Sequence, residues 1–362
     1  MLPRLLLTYP RLASFVRDDI GLLSERYDVR TFAFDVQGGG GVVGRAQALA
    51  RRAAEQRRWL RAEAPGADVI LSWFADYHAV FPVRAGRQFG VPVAVILGGF
   101  DSNRLPELDY GVYESRWRAP LARYVLRRAD LLLPVSGALI ESENRFATWP
   151  RARAQGVQVH AGDLDTPYAV LPTGYEAESW SMGPAERGQT VCTVGFVSAS
   201  RTVRLKGIDL LIETARRMPE VTFTVLGVTA EQQTWLRAEY TPPQNVQLLD
   251  PQPRERLAEA YGSASVYAQL SRSEGMPNVL CEAMLCGCIP VGSRVGGIPD
   301  AIGGAGEIVE APDPVRIADA IRTAFARAPE GRQAARDHIL ARFTRAHRRQ
   351  RFFQLLAGLA KR

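Results

Sequence analysis

Ser271-Arg272-Ser273-Glu274-Gly275-Met276-Pro277-Asn278-Val279-Leu280-Cys281-Glu282-Ala283-Met284, continuing to Gly296-Gly297-Ile298-Pro299-Asp300, is the stretch that decides the fold. Glu274 and Glu282 stand eight positions apart, and a Gly-Met-Pro-Asn turn between them must open a helix. Pro277 suits a first helical turn, where its missing N–H would have no partner anyway. From Asn278 onward the pattern is apolar at helical spacing, through Val279, Leu280, Ala283 and Met284. Glu274 therefore belongs to the loop before the helix and Glu282 to the helix itself. The backbone N–H groups within residues 276–279, Pro277 aside, are left at the helix end, where free donors and the positive end of the dipole together favour phosphate. A carboxylate beside an anion site makes sense when the ligand carries hydroxyls as well as phosphate. A sugar nucleotide carries both.

This string, with Cys286-Gly287-Cys288-Ile289-Pro290-Val291 after it, resembles the E-x7-E signature of retaining glycosyltransferases with the GT-B fold, and is most similar to family 4. The resemblance implies that Glu274 with Gly275, Met276, Pro277, Asn278 and Val279 holds the donor sugar, and that Glu282 holds the nucleotide ribose. It also places the nucleotide base near residues 250–254.

A second signal lies upstream. Residues 191–196 read as a short buried strand, and Arg201-Thr202-Val203-Arg204-Leu205-Lys206-Gly207-Ile208-Asp209 leads into a helix. Among 45 Lys and Arg residues only Lys206 and Lys361 are lysine, so an Arg-rich chain puts a compact point charge at a helix mouth. In the resembled family an Arg and a Lys five residues apart clamp the donor diphosphate, and Arg201 and Lys206 have that spacing. The family's Gly-Arg after the strand is Gly195-Phe196 here, which leaves Arg204 as the alternative to Arg201.

The first half has weaker motifs. No G-x-G-x-x-G follows the strand at 5–8, which argues against a dinucleotide oxidoreductase. Ser14 and Phe15, in the loop after it, are expected near the donor phosphate or the acceptor. Gly98-Gly99-Phe100-Asp101-Ser102-Asn103 occupies the place where relatives carry a histidine near the donor sugar, and Asp101 is the candidate there. Asp-Ser-Asn is equally good turn chemistry, so a plain turn is the competing reading. Pro172-Thr173-Gly174-Tyr175-Glu176 matches the family's Pro-Asn-Gly-Val-Asp linker loop with Thr in place of Asn and Glu in place of Asp.

Apolar runs at 5–8, 28–34, 69–73, 91–97, 131–135 and 169–171 alternate with helical patterns, and so do runs at 191–194, 221–226, 246–249, 265–270, 289–292 and 307–309. Such alternation predicts parallel sheets with helices on both faces. The expected architecture is α/β, with two doubly wound Rossmann-like domains facing across a cleft. Residues 1–174 would bind the acceptor and 185–344 the nucleotide-sugar donor, with a Gly/Pro-punctuated linker at 171–184. One long helix is expected over about 334–359, its end (about 345–362) packing back onto the first domain.

The length of 362 residues suits two domains, and no apolar run approaches the 18 residues of a membrane span. With no targeting segment, the expectation is a cytoplasmic protein, with a peripheral place at the inner face of the cell membrane as a further expectation. The four cysteines show neither metal-ligand spacing nor a disulfide framework and read as buried thiols. The net charge of +7 admits phosphorylated substrates or anionic lipid, and no nucleic-acid motif is present. Two Arg-rich helices, around Arg45–Arg61 and Arg116–Arg128, either lie on an anionic membrane or are solvated faces. No Asp-x-Asp pair is placed for a metal; Asp163 and Asp165 fall in a polar loop.

The resemblance implies a retaining hexosyltransferase; with no Asp-x-Asp pair placed for it, no metal is expected, and no cofactor. It would move sugar from a nucleoside-diphosphate sugar to a saccharide or lipid-linked hydroxyl, in bacterial cell-envelope polysaccharide or glycolipid synthesis. Glu274, Asp101, Lys206 and Arg201 are the expected catalytic group. The rival is a catalytically silent GT-B protein that binds a nucleotide sugar. An NAD-linked dehydrogenase and a GT-B phosphorylase or epimerase are more distant readings.

Overall fold

A computed structural model describes residues 2–36, 41–327 and 330–359. The first half contributes strands β1 (Arg4–Tyr9), β2 (Asp28–Ala33), β3 (Val69–Trp73), β4 (Val93–Leu97) and β5 (Leu131–Pro134). They form a wholly parallel sheet in the order β2-β1-β3-β4-β5. After a two-stranded antiparallel ribbon, β6 (Ser142–Asn144) and β7 (Arg153–Gln155), the second half contributes β8 (Thr190–Val194), β9 (Thr222–Leu226), β10 (Val246–Leu249), β11 (Val266–Gln269), β12 (Ile289–Ser293) and β13 (Glu307–Val309). These are parallel too, in the order β10-β9-β8-β11-β12-β13. Every residue of β3, β4, β11 and β12 is buried, which is why these strands read as continuous apolar runs rather than alternating ones. Each sheet carries its own hydrophobic core.

Three elements differ from the sequence reading. The run at 169–171 is not a strand: Ala169 and Leu171 donate to Leu132 and Pro134 of β5, but only one isolated bridge forms, at Tyr168. Pro167 and Pro172 bracket the run and have no N–H to extend a ladder. The β6–β7 ribbon went unread because its strands are three residues long and polar, with no apolar alternation. Its loop nevertheless places Phe146 in the second core, and Asn144 Nδ2 donates to the Arg272 carbonyl at 2.8 Å. The expected single helix over 334–359 is two helices, Glu330–Arg342 and Arg345–Leu359.

The break in that helix is where the linker crosses. Tyr175 N–H donates to the Phe343 carbonyl, and Arg345 N–H donates to the Tyr175 carbonyl, both at 2.9 Å. An extended linker thus takes up backbone groups that a continuous helix would have kept. Beyond the crossing, Phe352, Phe353, Leu356 and Leu359 are buried in the first core. Arg348 fastens the return: it donates to both oxygens of the buried Asp19, at 2.7 Å each, and to the Leu171 and Pro172 carbonyls. Residues 360–362 of the expected terminal helix, with Lys361, lie outside the described residues.

Candidate functional site

Two cavities meet where the helix Asn278–Leu285 begins. The larger, about 600 Å³, is lined among others by Ser14, Arg17, Trp180, Arg254, Glu282 and Arg345. The smaller, about 260 Å³, takes in Trp73, Phe74, Lys206, Glu274, Gly275 and Pro277. Phe15, Thr173, Asn278 and Val279 line both. Of the groups expected to hold a donor, all but Arg201 line one or both of these adjoining cavities, which are walled by residues of both halves at the carboxyl ends of the strands, where open α/β sheets place ligands.

Glu274 leaves β11 through the short loop that precedes the helix. Its Oε1 accepts from Lys206 Nζ at 2.8 Å and from Gln269 Nε2 at 3.3 Å. Its backbone is held by glycines. A Cβ on Gly275 would lie 2.1 Å from the Gly98 carbonyl oxygen, and one on Gly296 would lie 1.9 Å from that of Glu274. Gly297 N–H donates to the Gly275 carbonyl at 2.8 Å. Pro277 is the residue just before the helix, and no side chain caps the helix end. The N–H groups at this end are thus uncapped by any side chain, an arrangement that favours an anion.

Lys206 does not stand in an open loop. Residues Ser200–Lys206 form their own helix, and Gly207, at φ +72°, turns the chain into the next one, Ile208–Ala215. A Cβ on Gly207 would sit 2.0 Å from the Leu270 carbonyl oxygen, so only glycine brings this joint against the end of β11. The helix also separates the expected clamp. Five residues at about 100° each leave Arg201 and Lys206 on different faces. Arg201 lies on the surface, its guanidinium on the Asp109 carbonyl (3.0 Å) and carboxylate (3.3 Å), and it lines neither cavity. Arg204 lines neither as well. The two-cation clamp expected from spacing is not assembled here, because helical geometry converts a spacing of five into divergence.

Asp101 is also placed differently. It is wholly buried and accepts from the backbone N–H groups of Ala75 (3.0 Å), Gly98 (3.1 Å) and Gly99 (3.0 Å). Burial pushes its carboxyl up to about 6, against the lowering effect of those donors. It lines neither cavity; the turn reading describes it, and it reaches the site only by fixing the Gly98-Gly99 loop against Gly275.

Glu282, half-buried on the larger cavity, makes no side-chain hydrogen bond among the described residues. Burial pushes its carboxyl up to about 7, with Arg254 pulling the other way. Ser14 opens the helix Ser14–Leu23 and, with Phe15, reaches the larger cavity. The sequence reading missed Arg17, Trp180 and Arg345, because nothing in their local pattern sets them apart. Arg254 fell inside the segment expected at the base; its guanidinium lies 4.8 Å from the Trp180 ring centre. All four cysteines are buried free thiols. Among the described residues no group of three His, Cys, Asp or Glu is gathered that could hold a metal ion, and no helix is long and apolar enough to cross a membrane.

Comparison with known proteins bears on both halves. Residues 191–327 match the family model described as Glycosyl transferases group 1. A D-inositol 3-phosphate glycosyltransferase of Mycolicibacterium smegmatis is 33% identical over 244 residues, covering 65% of this chain and 54% of that protein. Its namesake from Mycolicibacterium gilvum is 31% identical over 225 residues, 57% of this chain and 50% of that one. The chain spans about half the length of these curated relatives. Among solved structures, sucrose-phosphate synthase from Thermosynechococcus elongatus superposes with a TM-score of 0.73 at 16% identity, covering 98% of this chain and 99% of that one. Anabaena Alr3699/HepE in complex with UDP and glucose gives 0.70 at 16% identity, over 98% and 99%. The fold is thus that of the GT-B glycosyltransferases, and its second half carries a glycosyl transferases group 1 domain.

Proposed function

We propose that the chain is a retaining, metal-independent glycosyltransferase that moves a hexosyl group from a nucleoside-diphosphate sugar to a hydroxyl acceptor. The observation that carries this reading is the Lys206–Glu274 pair, 2.8 Å apart, at the open end of the helix Asn278–Leu285. Transfer passes through an oxocarbenium-like state while a diphosphate departs. The ammonium of Lys206 and the uncapped helix end supply preorganised positive charge to that leaving group. Glu274 positions the sugar hydroxyls, and Glu282, in the larger cavity beside Arg254, takes the ribose. The departing phosphate oxygen accepts the acceptor's proton on the same face, which gives retention. Arg201 and Asp101, facing away from the cavities, have no direct part.

The acceptor is a saccharide or lipid-linked hydroxyl of the cell envelope. The support for it is the Arg-rich helix Gly41–Glu63 of the first half, on which Arg45, Arg58 and Arg61 are exposed. Contact with an anionic membrane at the cytoplasmic face follows from the same charge. Vesicles containing anionic lipid should sediment the protein at low salt and release it at high salt. Sedimentation indifferent to both would remove the membrane from the account.

The test of the enzymatic reading is release of nucleoside diphosphate from UDP-, GDP-, ADP- and TDP-sugars in the presence of candidate acceptors, with and without EDTA. Turnover with the donor's anomeric configuration kept in the product, read by NMR and insensitive to EDTA, is the expected result. Binding without turnover would instead favour a silent nucleotide-sugar-binding protein, a reading to which the inward-turned Asp101 gives some ground.

A further inference from the structure

A chain of hydrogen bonds ties the linker to the start of the helix Asn278–Leu285. Thr173 Oγ1 lies 2.6 Å from the Tyr175 hydroxyl, and that hydroxyl donates to Asn278 Oδ1 at 2.9 Å. A phenol has one hydrogen. Since it goes to Asn278, Tyr175 must accept from Thr173. The threonine has then given its only hydrogen and keeps lone pairs alone. Asn278, its carbonyl oxygen taken, keeps the two hydrogens of Nδ2, for which no acceptor is found among the described residues. Thr173 and Asn278 both line both cavities. Tyr175 is buried, and its backbone is pinned on both sides by Phe343 and Arg345 at the crossing. Burial drives its phenol well above the usual range, so the hydrogen stays in place.

We infer that Tyr175, held by Thr173, is a positioning residue that fixes the amide of Asn278, so that the site offers a ligand one acceptor (Thr173 Oγ1) and one donor group (Asn278 Nδ2) side by side. This rests on the donor-site reading above and sharpens it: the segment bound there presents a hydroxyl hydrogen next to an acceptor oxygen, as the hydroxylated and phosphorylated part of a nucleoside-diphosphate sugar does. The threonine matters to the direction. An asparagine at 173 would both give and accept and would leave the polarity unset, whereas a single hydroxyl hydrogen sets it.

Calorimetric titration of UDP, GDP and ADP tests this on the wild type, Tyr175→Phe, Thr173→Val, Thr173→Ser, Asn278→Ala and the double variant Tyr175→Phe/Asn278→Ala. For the nucleotide that binds the wild type, Tyr175→Phe and Thr173→Val should each weaken binding roughly tenfold, and Thr173→Ser, which keeps the hydroxyl, by less than about twofold. The double variant should bind no more weakly than Asn278→Ala alone, because the phenol acts through the amide. Urea midpoints identify a variant that has lost its fold, and the Thr173 pair carries the test if Tyr175→Phe does. Unchanged affinity in Tyr175→Phe and Thr173→Val, or a Tyr175→Phe loss that adds in full to that of Asn278→Ala in the double variant, would overturn the relay while leaving the donor site standing. A wild type that binds none of the three nucleotides would overturn the donor-site reading, and the relay with it.

Discussion

Glu274 and Glu282 are separated by a short loop and about one turn of helix, yet they are served differently. Glu274 has Lys206 Nζ on one oxygen, with Gln269 beside it, and its loop is wedged between glycines of both halves. Glu282 has no hydrogen-bond partner among the described residues and is pushed up to about 7 by burial, with Arg254 as a more distant counterweight. A carboxylate already paired is held in one place; one left unpaired in a cavity is destabilised until something with hydroxyls arrives. On the proposed function, the comparison separates a positioning group at the reacting end from a group whose partner is the ligand itself.

Breaking the paired end should have the largest effect. Lys206→Ala removes the charge proposed to face the leaving diphosphate and leaves Glu274 with Gln269 alone, and kcat/KM should fall about 10²–10³-fold, the scale for loss of one preorganised stabiliser. Steady-state kinetics with the accepted donor measures it, and a loss below tenfold would mean the pair is only structural.

Asp101→Asn comes next and acts through the loop. An amide offers one oxygen to three backbone N–H groups and turns an N–H toward one of them. Urea unfolding should show a loss of about 2 kcal/mol, in the range for an unsatisfied buried group. A variant as stable as the wild type would show that the Gly98-Gly99 loop holds itself.

Glu282→Gln sharpens the contrast through pH. The folded carboxyl lies near 7 and the ordinary one near 4.5, so between them the folded state binds more protons than the unfolded. Stability from this group is present below about 4.5 and is lost as pH rises toward 7. The melting temperature of Glu282→Gln should therefore gain on the wild type from pH 5 to pH 8. Nucleotide affinity should do the reverse, with the wild type binding more tightly as its carboxylate ionises and the variant staying flat. Parallel melting curves across this range would remove the unpaired-carboxylate account.

The smallest effect is expected from Arg201→Ala. An exposed ion pair with Asp109 is worth about 0–1 kcal/mol, and nucleotide affinity should stay within about threefold of the wild type. A large loss of affinity would mean that Arg201 swings onto the ligand and pairs with Lys206 across the diphosphate.

The second half was the more legible. Gly275, Gly296 and Gly297 are fixed by backbone approaches that a Cβ would block, so their chemistry is written at the positions themselves. The strands at 69–73, 246–249 and 307–309 appear where apolar runs end at turn residues. What was hidden depends on tertiary facing. The helix Ser200–Lys206 is too short and too polar to show a period, so nothing in the string reveals that Arg201 turns to Asp109. Asp101 looks the same in sequence whether it faces a ligand or three N–H groups. Arg17, Arg345 and Thr173 reach one cavity from segments far apart in the chain, which no local pattern records.

The most direct test of the donor site is a thermal-shift panel of UDP-, GDP-, ADP- and TDP-sugars on the wild type and Lys206→Ala. A ligand that binds only the native state raises its melting temperature. One nucleotide class should raise it in the wild type, and the shift should vanish in Lys206→Ala. No shift with any of the four, or a shift that survives unchanged in the variant, would contradict the assignment of Lys206 and Glu274 to a sugar-nucleotide donor.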